Sequence, residues 1–70
     1  MVRLFMFYGD NIRYEVLVHS ANERIVKLHQ ELSDSDDVLY LRMRKFVDAL
    51  ILAQFDFSFR VVTDIFVYDD

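Results

Sequence analysis

The sequence predicts an α+β fold, a single domain over residues 1–70 in which a three-stranded sheet carries a helical hairpin on one face. Three observations predict it. Two apolar runs flank the turn sequence Gly9-Asp10-Asn11, two segments of helical period are joined by an acidic stretch, and the C-terminal segment alternates strictly. The element order is therefore β-β-α-α-β.

The first strand is Val2 to Tyr8, rich in aliphatic and aromatic residues. Its register is open: either Leu4 and Met6 or Phe5 and Phe7 face away from the helices. Gly9 and Asn11 tolerate positive φ and mark a hairpin turn. In Ile12 to His19, Ile12, Tyr14, Val16 and Val18 point one way, and Arg13, Glu15, Leu17 and His19 the other.

A first helix is expected from Ser20, because Ser20-Ala21-Asn22-Glu23 fits a capping box. Ile25, Leu28 and Leu32 form its apolar stripe with Val26 at the edge, and it stops near Leu32. Ser33-Asp34-Ser35-Asp36-Asp37 is the loop to a second helix, with Ser35 as a cap and the Asp pair complementing the helix dipole. That helix is expected from about Asp36 to about Gln54 on the spacing of Leu39, Met43, Phe46, Val47, Leu50 and Ile51; a strand over Val38–Leu41 is the alternative. Its apolar arc spans roughly 200°, wide for a helix with one side in water, and Leu41 and Leu52 lie beyond it. The last strand is expected from about Phe57 to about Tyr68: Phe57, Phe59, Val61, Thr63, Ile65 and Val67 share one face, and Ser58, Arg60, Val62, Asp64, Phe66 and Tyr68 the other. Chain direction allows it to lie parallel beside the first strand or antiparallel beside the second, and the first placement is favoured.

Composition bounds the function. The chain has 70 residues, is 54% hydrophobic and 16% aromatic, and contains no cysteine. A domain of this size buries only about 60% of its unfolded surface and usually needs dense packing, a metal, disulfides or a partner chain. Without cysteine, disulfides and thiolate metal sites are excluded, so packing and oligomerisation remain. The chain reads as a complete, soluble product of the cytoplasm, with no signal peptide and no apolar stretch long enough to span a bilayer. A net charge of −4 argues against a general nucleic-acid binder and against an anionic membrane surface.

No constellation for catalysis emerges. Ser20 and Ser35 are explained as caps, Ser33 as loop and Ser58 as strand, and there is no nucleophile elbow. His19 with Glu23 and His29 with Glu31 lack a metal-ligand spacing, and His29 reads as a half-buried structural histidine. Asp34, Asp36 and Asp37 belong to the entry of a helix, with no glycine following them as a calcium loop requires. No cofactor, metal or enzymatic activity is expected.

What remains is apolar surface. If Tyr14, Val16, Phe59 and Val61 face the helices, the outer sheet face displays Leu17, Val62, Phe66 and Tyr68, with Leu41 and Leu52 exposed on the second helix. Together they make the expected interface of a protein-interaction module: a homodimeric regulator or inhibitor, of the kind found among phage and accessory proteins, with a protein partner that the sequence does not name. The alternative is a single-stranded nucleic-acid binder using the sheet aromatics with Arg42, Arg44 and Lys45.

Overall fold

A computed structural model describes residues 1–63 and contains β1 (Arg3–Tyr8), β2 (Ile12–His19), α1 (Glu23–Ser33), α2 (Leu39–Leu52) and β3 (Asp56–Thr63). The expectations for residues 64–70, Phe66 and Tyr68 among them, lie outside the described residues. The element order and the α+β class are those the sequence predicts, in one three-stranded sheet.

The strand order is β1-β2-β3, all antiparallel, so β3 lies beside β2 and the favoured parallel placement beside β1 is corrected. Both placements satisfy the same alternation. The antiparallel one matches all eight residues of β3 to β2, from His19 opposite Asp56 to Ile12 opposite Thr63. β1 pairs with β2 from Arg3 opposite Val18 to Tyr8 opposite Arg13. This register settles the first strand: Phe5 and Phe7 are buried under the helices, and Leu4 and Met6 lie on the outer face.

The hairpin turn closes through a hydrogen bond donated by the Gly9 N–H to the Ile12 carbonyl at 2.8 Å. Neither Gly9 nor Asn11 has positive φ. Glycine is required at position 9 for a different reason: a Cβ there would sit 2.7 Å from Leu39 Cδ2 and 2.9 Å from Ile12 Cγ2. The turn is packed directly under the start of α2.

α1 begins later than the capping box suggests. Asn22 is its N-cap, its side-chain Oδ1 accepting from the Ile25 N–H at 3.1 Å, while Ser20 adopts a φ of 60° and turns the chain out of β2. Asn22 and Ser20 are equally good caps by residue type. The reversal needed to leave the sheet takes Ser20 out of contention. Asn22→Ala is expected to cost about 1 kcal/mol in urea denaturation, whereas removal of the Ser20 hydroxyl by Ser20→Ala removes no cap bond.

α2 starts at Leu39 with Val38 as N-cap and no side-chain cap bond, so Val38–Leu41 is not a strand and Asp36 and Asp37 precede the helix. Ser35 still serves the loop, its Oγ accepting from the Asp37 N–H at 3.1 Å. The helix ends in a Schellman arrangement: Phe55 N–H donates to the Leu50 carbonyl at 2.9 Å and Gln54 N–H to the Ile51 carbonyl at 3.0 Å, with Gln54 at φ 60°. This turn delivers the chain into β3 beside α2.

The core is built from β1, β2, the two helices and the β2–α1 connection: Phe5, Phe7, Val16, Val18, Ala21, Ile25, Leu32, Met43, Phe46 and Leu50. Its centre is aromatic. Phe46 is fully buried, with its ring tilted or edge-on to Phe5 at 5.1 Å, Phe7 at 5.5 Å and His29 at 5.7 Å. His29 is half-buried as expected, and its Nε2–H donates to the Met6 carbonyl at 3.0 Å. In a strand order that leaves β1 at one edge, this bond ties α1 to that edge.

Candidate interaction surface

No residue of β3 is buried, although β3 lies in the same sheet as the core strands. The helical layer is centred on β1 and β2, drawn there by Phe5, Phe7, Val16 and Val18, and it stops short of β3. On the helix-covered side this leaves Phe59 43% and Val61 46% exposed. The flank of α2 that overhangs them is also apolar: Val47 is half-buried, and Tyr40 and Ile51 are exposed, Ile51 at 59%. The broad arc noted in the sequence is thus split. Met43, Phe46 and Leu50 enter the core, while Tyr40, Val47 and Ile51 look out over β3.

Between these elements runs an open groove of about 580 Å³. Its floor is Tyr14, Phe57, Phe59 and Val61, and its wall is Tyr40, Val47 and Ile51. Tyr14 stacks on Phe59 across β2 and β3, with ring centroids 5.8 Å apart and planes 18° from parallel. The rim is polar. Arg44 Nε donates to Asp48 Oδ1 at 3.1 Å, and Arg44 Nη1 donates to the Tyr40 hydroxyl at 3.3 Å. Tyr40 and Asp48 together raise the Arg44 pKa further above its ordinary value, so the rim cation keeps its charge. An apolar floor with a polar rim is the build of a protein contact surface.

Among the described residues, the outer sheet face combines apolar side chains with charged ones. Leu17 and Val62 do lie on it, both half-buried, with Leu17 opposite Leu4 and Ser58, and Val62 opposite Arg13. Between those rows sits Glu15, buried, with Arg60 opposite it on β3. Arg60 Nη2 donates to Glu15 Oε1 at 2.5 Å, and Arg13 Nε donates to Glu15 Oε2 at 2.8 Å. The hydrogen bond from Arg60 is the main reason that the Glu15 carboxyl is held below its usual range; partial desolvation opposes it and Arg13 reinforces it. The two guanidinium stems cover the carboxylate, which explains how an acidic residue on a sheet face becomes buried.

This arrangement has a pH signature. Because the folded-state pKa of Glu15 is depressed, its stabilisation is present above the unfolded-state value and is lost as pH falls through the folded-state value. The melting temperature of the wild type is expected to fall more steeply than that of Glu15→Gln between about pH 5 and about pH 3. Equal slopes in a thermal melt series would contradict it.

Leu41 and Leu52 are exposed as expected, Leu52 at 88%, and neither lines the groove. The structure does not bring them together with Leu17 and Val62. The three cations of the nucleic-acid alternative are dispersed. Arg44 is paired with Asp48, Lys45 Nζ donates to Asp37 at 2.5 Å, and Arg42 Nη1 reaches the Ser33 carbonyl at the end of α1. Lys45 is also the main cause of the lowered Asp37 pKa.

Sequence reasoning missed the groove. Its signal was the excess width of the α2 arc together with the Phe57, Phe59 and Val61 face of β3. Among the described residues no helix is long and apolar enough to cross a membrane, and no group of three or more His, Asp or Glu side chains is placed to hold a metal. Comparison with protein families, curated proteins and solved structures found no match to this chain.

Proposed function

We propose that this protein is a non-enzymatic interaction module of the cytoplasm, a homodimeric regulator or inhibitor that works by apolar contact. The observation that carries this reading is the uncovered floor of the groove, where Phe59 and Val61 of β3 and Tyr40 and Ile51 of α2 face one another across open solvent. Those side chains are large, contiguous and bordered on the α2 side by the Arg44–Asp48 pair, and clusters of that kind mark contact sites more often than isolated exposed residues do. Size supports the same reading, since a chain of 70 residues without disulfides gains stability from a second chain. The reading moves the contact surface from the outer sheet face to the helix side of β3, and it gives Arg44, Asp48 and Tyr40 the role of a polar rim. Sedimentation of the wild type and of Phe59→Glu tests it: an associated wild type and a folded monomeric variant are expected.

A further inference from the structure

The two edges of the sheet are treated differently. At the β1 edge, α1 places His29 Nε2–H on the Met6 carbonyl. The β3 edge runs for eight residues, Asp56 to Thr63, and among the described residues no side chain hydrogen-bonds to its backbone. It contains no proline or lysine, the residues with which proteins most often blunt an edge against pairing. Its two charges, Asp56 and Arg60, lie on the same face and are of opposite sign. Asp56 makes no side-chain hydrogen bond or ion pair among the described residues, and Arg60 uses Nε and Nη2 on Glu15, leaving Nη1 free there.

From this asymmetry we infer that the second copy docks on the β3 edge, β3 antiparallel to β3, making one continuous sheet across the two-fold axis. The inference rests on the homodimer reading and specifies its geometry. Directly opposed residues in an antiparallel pair share a face. Both helical layers therefore lie on the same side of the joined sheet, and the two grooves meet over the axis. Charge fixes the register. With Ser58 opposite Ser58 of the second copy, Asp56 faces Arg60 of the second copy twice, by symmetry, and Phe57 faces Phe59 twice on the groove side. Sliding one strand by two residues sets Asp56 against Val62, and by four sets Arg60 against its own copy, a like-charge pair that is destabilising. In the matched register each Arg60 bridges Glu15 of its own chain and Asp56 of the other, within the reach of a five-donor guanidinium. The Phe57 and Phe59 rings of both copies then close the floor that each chain leaves open.

The chain has no cysteine, so a single introduced thiol reports on this geometry. Opposed Cα atoms in an antiparallel pair lie about 4.5–5.5 Å apart, inside the range that a disulfide spans. Ser58→Cys in the full chain, oxidised with diamide (which takes up the two thiol hydrogens), is expected to form a covalent dimer within minutes. Leu4→Cys, on the outer face of β1, is expected to stay uncrosslinked over the same period. Asp56→Arg is expected to weaken association at least tenfold while the fold is retained by circular dichroism. If the wild type is dimeric but Ser58→Cys crosslinks no faster than Leu4→Cys, or Asp56→Arg leaves association unchanged, the edge pairing is overturned and the homodimer reading stands. If the wild type is monomeric, both are overturned.

Discussion

Phe46→Ala is expected to lower the stability of the folded chain by about 3–5 kcal/mol, the cost of removing a fully buried phenyl ring and leaving a cavity. Phe46 has no solvent exposure and is ringed by Phe5, Phe7 and His29 at 5.1, 5.5 and 5.7 Å. Such aromatic contacts add about 0.5–1.5 kcal/mol per pair beyond buried area, so the loss belongs at the upper end. It is large against the 5–15 kcal/mol that a whole domain possesses. The variant is expected to lose cooperative unfolding or to melt far below the wild type. Urea denaturation at matched protein concentration checks this, and a loss under about 1.5 kcal/mol, the range of a volume-conserving swap, would show that the aromatic centre is not what joins the helices to β1.

Phe59→Glu is expected to have the opposite profile, a small effect on the fold and a large one on association. Phe59 is 43% exposed and its ring lies against Tyr14 alone among the aromatic residues described, so a single chain loses little by its replacement. In the dimer the new carboxylate would be taken from water into an apolar floor whose rim cation, Arg44, is already paired with Asp48. Burying an unpaired charge costs on the order of 3 kcal/mol or more, and a symmetric dimer incurs the cost twice. Association should therefore weaken by at least about 100-fold. Leu52→Glu is the matched control. Leu52 is 88% exposed and does not line the groove, and a charge there should leave association unchanged. If Leu52→Glu dissociates the protein and Phe59→Glu does not, the contact lies outside the groove.

Periodicity carried most of the fold. The alternation of Ile12 to His19 and the stripe of Ile25, Leu28 and Leu32 each fix an element and the face it turns to the core, and the alternation after Phe57 fixes a strand that the described residues show as far as Thr63. Strand order was not legible, because parallel and antiparallel placements of β3 bury the same residues. The start of α1 was not legible either: Ser20 and Asn22 have the same cap chemistry, and the positive φ that decides between them is a property of the reversal out of β2. The candidate interaction surface is not legible in the sequence, where Tyr14, Phe59 and Val61 read as covered by the helices and the expected interface lies elsewhere. The residues of the groove were recognisable as apolar surplus on α2 and β3, but their exposure follows from a sideways offset of the helices toward β1, and no residue spacing encodes that offset. Glu15 shows the converse, a charge on a solvent-facing position that Arg13 and Arg60 bury by folding over it.

The central claim, that a second copy of this chain covers the groove between α2 and β3, is tested most directly by sedimentation equilibrium of the 70-residue chain. The predicted mass is near twice the 8.4 kDa of one chain, falling toward the single-chain value only on dilution. A folded species of 8.4 kDa that stays monomeric up to about 100 μM, a concentration at which a specific homodimer is populated, would contradict it.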